Sequence, residues 1–243
     1  MGMGRFYYGV DIMILIAGAG GGIGDELFKY YTNREYTHGC VHKQEQANCY
    51  RKYIDVLDLK ALKEWAYDLV EIKGYYAGDI VFKDNITLIN CIGITDTHRF
   101  LHSDPKEWAH VIEVNLIGTY NLLQAFIPVM TSISRIVLLS SVVPQMGIIG
   151  TTAYSASKSA LWGLVKSLSK ELMQEGITIN GINLGYTNMG MIKKVPADII
   201  DEIESKTVTK SLGDKMDIVS GIEFFRNSPY VTGTFIDING GLW

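Results

Sequence analysis

Five glycines fall within the seven residues Gly18-Ala19-Gly20-Gly21-Gly22-Ile23-Gly24, and the chain reaches them through an unbroken apolar run, Ile12–Ala17. Gly24–Thr32, directly after, repeats its apolar residues at helical spacing. A buried strand that empties into bare backbone and then into a helix leaves few architectures open. Without side chains the loop lets an anionic group approach closely, and the helix start offers it unpaired N–H groups and a positive dipole end. Glycine makes up 25 of 243 residues against only 5 prolines, so the excess is local and does not signal a collagen-like or low-complexity chain. The spacing is G-x-x-x-G-x-G, through Gly18, Gly22 and Gly24. Methyltransferases also place glycines after a first strand, so the loop alone does not separate hydride from methyl transfer.

Strand-length apolar runs recur along the rest of the chain, at Gly39–His42, Tyr53–Val56, Thr87–Cys91, Arg135–Ser140, Thr178–Asn183 and Thr234–Asn239. Helical patterns lie between them, at Asp58–Ile72, Pro105–Met130, Tyr154–Glu175 and Asp217–Arg226. Ile136–Leu139 is apolar throughout, as a strand covered on both faces must be. This alternation predicts a single-domain α/β fold, a three-layer doubly wound parallel sheet of the Rossmann kind spanning 12–243. Residues 1–11 read as a disordered leader, or as upstream of a start at Met13; Asp11 and the short apolar run argue against a signal peptide.

The net charge of −4 excludes a broadly basic surface for nucleic acid or anionic lipid, and no run approaches a membrane span. Small-molecule partners and a cytoplasmic location are expected. Cys40, Cys49 and Cys91 form no C-x-x-C pair and read as free thiols. His98 and His102 stand four apart with no third ligand at metal-site spacing, so no metal is expected.

Ser141 ends the apolar run that begins at Arg135, and Tyr154-Ser-Ala-Ser-Lys158 follows. Tyrosine and lysine four apart share one helical face. A free phenol near pKa 10 is a poor base at neutral pH, and an adjacent ammonium favours its ionised form. A phenol so tuned can exchange a proton with an alcohol or carbonyl oxygen, to which a serine hydroxyl can also donate.

In this combination the chain resembles the short-chain dehydrogenase/reductase family, in its 3-oxoacyl-carrier-protein-reductase-like branch. The likeness runs in order from Ile14 to Gly241: the loop, Asp55-Val56, Asn90-Cys91-Ile92-Gly93 for N-N-A-G, Trp108–Asn121, Ser140-Ser141, Tyr154 and Lys158, Asn183-Leu184-Gly185-Tyr186 near N-x-P-G, and the terminal Ile236–Gly241. The resemblance implies a catalytic tetrad of Asn115, Ser141, Tyr154 and Lys158 around a nicotinamide cofactor, NADP or NAD. Tyr154 is then the general acid in reduction and base in oxidation, Ser141 polarises the substrate oxygen, Lys158 holds the ribose and Asn115 supports a water. Cofactor contacts are implied at Gly18, Gly21, Gly22, Ile23, Gly24, His42, Lys43, Asp55, Val56, Asn90, Ile92, Gly93, Tyr154, Lys158, Gly185 and Thr187.

The chain departs from the family pattern at Ala17 and Leu184, where threonine and proline are usual, and at Cys91, Ile92 and Met189. Ile92 is expected against the adenosine half. His42 followed by Lys43 leans the cofactor towards NADP. Residues 190–212 are expected to form a substrate lid with an apolar face of Met189, Met191, Ile192, Val195, Ile199 and Ile200, and with Lys193, Lys194 and Lys206 for an anionic substrate. The family's habit implies a homo-oligomer, a dimer or tetramer. The competing reading is a catalytically silent nucleotide-binding regulator or scaffold on the same fold.

Overall fold

The computed structural model describes residues 12–71 and 85–242; the expected leader at 1–11, Ile72 and Trp243 lie outside them. Seven parallel strands form one sheet in the order β3-β2-β1-β4-β5-β6-β7. They are β1 (Ile12–Ala17), β2 (Thr37–Val41), β3 (Arg51–Tyr53), β4 (Asn85–Asn90), β5 (Arg135–Ser141), β6 (Thr178–Leu184) and β7 (Phe235–Ile238). The helices are α1 (Gly22–Thr32), α2 (Leu59–Glu71), α3 (Pro105–Ile112), α4 (Gly118–Phe126), α5 (Val143–Met146), α6 (Thr152–Glu171), α7 (Ala197–Lys206) and α8 (Lys215–Asn227).

β1 shows why the strands read as continuous apolar runs. Met13, Leu15 and Ala17 enter the core shared with α2, α4 and α6, while Ile14 and Ile16 enter the core shared with α1 and α8. Alternate side chains point to opposite faces, and both faces are dry. The doubly wound single domain is as expected, and strand order reverses between β1 and β4 where such sheets bind ligands.

Two strands differ from the sequence reading. β2 begins at Thr37, and β3 covers Arg51–Tyr53, so most of Tyr53–Val56 lies past the strand. Only a 3-10 turn, Gln44–Gln46, and an antiparallel bridge between Asn48 and Arg51 connect β2 to β3. Arg51 covers the exposed flank of α1 itself, with its guanidinium 4.1 Å above the Phe28 ring and Nη2 donating to Asp25 at 2.8 Å. At this sheet edge a cleft of about 460 Å³ opens among His38, Tyr50, Lys52, Trp65, Asp68 and Leu69.

The expected helix Pro105–Met130 is four pieces, α3, a π-helical turn, α4 and a 3-10 turn at Ile127–Val129. Asp104 caps α3 by accepting from the Lys106 amide at 2.8 Å, Pro105 takes the first turn, and a π-helical turn at Glu113–Ile117 separates α3 from α4. α8 opens on a reciprocal capping box between Asp214 and Asp217. Arg226 near its end holds Glu35 and Glu223 at 2.6 Å each, and the Tyr31 hydroxyl donates to Glu223, tying α8 to α1. No helix among the described residues is long and apolar enough to cross a membrane.

Gly181 on β6 is required by its neighbour across the ladder: a Cβ there would fall 2.0 Å from the Phe235 ring. Gly181→Ala is therefore expected to lower unfolding free energy by about 1–3 kcal/mol. Phe235→Leu in the same chain should recover most of that loss, and a urea double-mutant cycle measures the coupling.

Candidate active site

The carboxyl ends of β1, β4, β5 and β6 surround one space. Gly18 turns the chain out of β1 at φ +79°, with Cys91 backbone only 3.0 Å from where its Cβ would be. Gly24 lies against Gly18 in the same way, its Cβ position 2.2 Å from the Gly18 carbonyl oxygen. The N-cap of α1 is Gly21, and no side chain caps the first turn. That uncapped, side-chain-free turn suits a pyrophosphate. One piece of chain already rests on it: a Cβ on Gly22 would fall 2.0 Å from the Cα of Gly190, itself at φ +68°.

Ser141 ends β5, and its Oγ accepts from the Val143 amide at 3.1 Å. Burial is the largest influence on the Tyr154 phenol and holds its pKa above the ordinary 10; nearby Ser141 opposes this, and nearby Tyr186 pushes it the same way as burial. Lys158 follows one turn later on α6. Its Nζ is buried, 5.8 Å from the centre of the Tyr154 ring, and donates to the carbonyls of Ile92 at 3.1 Å and Leu139 at 2.9 Å. Desolvation lowers this ammonium from 10.5 to about 8. Gly93 makes room for it, because a Cβ there would stand 3.2 Å from Nζ.

Asn115, fully buried, sits in the π-helical turn. Its Oδ1 accepts from the Ile94 amide at 2.8 Å, and its Nδ2 donates to the Ile94 carbonyl at 2.9 Å and to Ser157 Oγ at 3.0 Å. The side chain thus straps the loop after β4 to α6. Asn90 joins the network by donating to Thr119 Oγ1 at 2.8 Å, and Thr119 donates to the Asn115 carbonyl at 2.7 Å. Ser157 and Thr119 are partners that the sequence reading did not single out, although Ser157 lies inside Tyr154–Lys158.

The other expected contacts divide. Gly18, Gly21, Gly22, Ile23, Gly24, Asn90 and Gly93 share this rim. The Ile92 side chain instead packs into the core, and its carbonyl serves Lys158. His42 and Lys43 are exposed, and Asp55 is exposed with Oδ1 accepting from the Leu57 amide. Val56 packs against Gly118. Gly185 is dictated by Asn239, whose Cα would lie 2.6 Å from a Cβ, and Thr187 is buried in a bridge to Gly213. Met189 and Ile192 of the expected lid face are buried, Met189 in the core with α1 and α8, whereas Met191 and Ile199 are exposed. α7 lies inside that segment, and Lys206 at its end pairs with Glu202 at 2.5 Å. His98 and His102 share no helix. His98 Nδ1 meets Asp96 at 2.5 Å, with Glu107 close by at the solvent-facing rim.

A family profile described as Enoyl-(Acyl carrier protein) reductase matches residues 81–243. The chain belongs to the short-chain dehydrogenase/reductase family. Members of this family use nicotinamide nucleotides. The chain is 34% identical to human (3R)-3-hydroxyacyl-CoA dehydrogenase over 161 residues, 64% of this chain, and spans only 62% of that relative's length. It is 27% identical to the 3-oxoacyl-[acyl-carrier-protein] reductase FabG of Staphylococcus epidermidis across 94% of this chain and 98% of the relative. The solved 3-oxoacyl-[acyl-carrier protein] reductase of Brucella melitensis superposes with a TM-score of 0.81 at 26% identity, covering 96% of this chain and 91% of that one.

The departures from the family pattern have structural accounts. Ala17 and Leu184 are buried in the two cores, where neither needs a hydroxyl or a fixed φ. Cys91 is a protected thiol, its pKa pushed up to about 12 by burial despite Lys158 nearby.

The lowered lysine has a consequence for stability. Between pH 8 and 10.5 the unfolded chain holds a proton at Lys158 that the folded chain has released, so this group makes stability rise with pH across that window. Buried Cys40 and half-buried Cys91, with raised pKa values, act in the opposite direction above pH 9. The difference between wild type and Lys158→Met isolates the lysine. In urea denaturation it should move in favour of wild type by about 2 kcal/mol from pH 8 to pH 9.5.

Proposed function

We propose that this chain is an NAD(P)-dependent oxidoreductase that interconverts a ketone and a secondary alcohol, with Tyr154 as general acid and base. The observation that carries this reading is the buried Lys158 ammonium, held by the Ile92 and Leu139 carbonyls 5.8 Å from the centre of the Tyr154 ring, with Ser141 near the same phenol. A structural lysine has no reason to be buried without a carboxylate beside a phenol, since the arrangement costs stability below pH 8.

When bound, the nicotinamide ring supplies or accepts the hydride. Gly18–Gly24 with the first turn of α1 would hold its pyrophosphate, and Lys158 with Tyr154 its nearer ribose. In reduction the Tyr154 O–H gives its proton to the carbonyl oxygen as the carbonyl carbon gains hydride, leaving phenolate. Ser141 donates a hydrogen bond to the same oxygen, and the Lys158 charge stabilises the phenolate. Asn115 acts through its strap, fixing the Ile94 loop against α6. Oxidation runs these steps backwards. Burial raises the Tyr154 pKa further above neutral pH, so the phenol carries the proton that reduction needs.

The names of the relatives point to a 3-oxoacyl or 3-hydroxyacyl thioester as substrate. Exposed Met191 and Ile199 beside Lys193 in the segment over the site are compatible with an acyl chain on an anionic carrier. A nucleotide-binding regulator without turnover has no observation in its favour, and the buried Lys158 beside Tyr154 argues against it. Exposed Ile117 and Tyr120 near α4 support assembly into a homo-oligomer, and free thiols suit the cytoplasm.

Tyr154→Phe should lower kcat for ketone reduction by at least about a hundredfold, with nucleotide affinity retained. Near-normal turnover in that variant overturns the assignment. The wild-type reduction rate should fall as pH rises past about 8, where Lys158 loses its charge. Light scattering should give a mass at least twice the 27.1 kDa of one chain.

A further inference from the structure

Building on the nicotinamide-nucleotide reading, we propose that Gln46 is the side chain that meets the adenosine ribose, and that it selects a free 2′-hydroxyl over a 2′-phosphate. In a doubly wound sheet the adenosine half crosses from the glycine loop towards the end of β2, where a residue about twenty positions past the loop takes a ribose hydroxyl. The 3-10 turn after β2 carries the chain back over that place. Gln46 Nε2 donates to the Gly20 carbonyl at 3.0 Å. A Cβ on Gly20 would lie 2.1 Å from Gln46 Oε1 and 2.8 Å from its Cδ, so the amide occupies the volume that a side chain at position 20 would fill. Gln46 thus covers the bare backbone of Gly20 from the next strand connection.

The amide is half satisfied. Its nitrogen is used, while Oε1 is buried with no donor among the described residues. A buried acceptor of this kind is a standing cost until a donor reaches it. A ribose hydroxyl is such a donor. It can supply the donor that Oε1 lacks while Nε2 serves Gly20. A 2′-phosphate is mostly without a proton at neutral pH and would set its charge against an acceptor oxygen.

The nearby cations do not compensate for that mismatch. His42 and Lys43 face solvent. Arg51 is engaged by Asp25 at 2.8 Å and by the Phe28 ring. Gln46 therefore reverses the lean towards NADP that His42 and Lys43 suggest by their position alone.

Fluorescence titration of the full chain with NADH and with NADPH tests this in wild type, Gln46→Ala and Gln46→Arg, with circular dichroism to confirm folding. Wild type should bind NADH about tenfold more tightly. Gln46→Ala should weaken NADH about fivefold, the size of one neutral hydrogen bond, and leave NADPH within about twofold. Gln46→Arg should reverse the order. Tighter NADPH binding by wild type, or equal weakening of both nucleotides by Gln46→Ala, overturns the assignment of Gln46 and leaves the oxidoreductase reading standing. Failure of wild type to bind either nucleotide overturns both.

Discussion

A lysine ammonium with no carboxylate against it among the described residues organises the functional end of this molecule. Lys158 is almost wholly buried, and its charge is satisfied by two backbone carbonyls, one just past β4 and one near the end of β5. Those carbonyls can converge only if the two strands are neighbours in register, as the pairing of Asn90 with Leu138 shows. They also need a residue without a side chain at position 93 and a helix that delivers the lysine at the right height. Ser140 secures that helix by donating to the Lys158 carbonyl at 3.1 Å. Asn115 secures it again through Ser157. Sheet register, a glycine, a π-helical turn and α6 are thus separate requirements of one buried charge. Because neutral carbonyls stabilise an ammonium less than a carboxylate does, the charge is held at reduced pKa and can respond to a neighbouring phenol.

What could be read from the letters alone depended on how local each cause is. The strand, glycine loop and α1 were legible because apolar run, bare backbone and helical period lie side by side in the chain. β5 and β6 were legible because both faces are covered and polar residues are scarce. β2 and β3 were displaced because the edge strand is only Arg51–Tyr53, with exposed Lys52 and Tyr53 that do not pattern as buried. The π-helical turn left no mark in the apolar period, since its cause is the three-bond demand of Asn115 on residues twenty-one and forty-two positions away.

Asn115, Ser141, Tyr154 and Lys158 were legible as residue types at family spacing, and the roles proposed for them followed from resemblance. The carbonyl seat of Lys158 was not legible, because backbone groups carry no letter. The face expected of residues 190–212 divides: Met189 and Ile192 look like a surface for substrate by composition yet are buried, whereas Met191 and Ile199 are exposed. Gln46 gave no signal at all. Its significance arises only when a turn brings it onto Gly20.

The contact between Gly190 and Gly22 joins two parts of the site backbone to backbone. A Cβ on Gly22 would fall 2.0 Å from the Gly190 Cα, so the first turn of α1 has no room for a side chain where the segment after β6 crosses it. The second glycine of the G-x-x-x-G-x-G spacing thus answers to a neighbour 168 positions along the chain as well as to its own loop, and a substitution there would displace both walls of the site together.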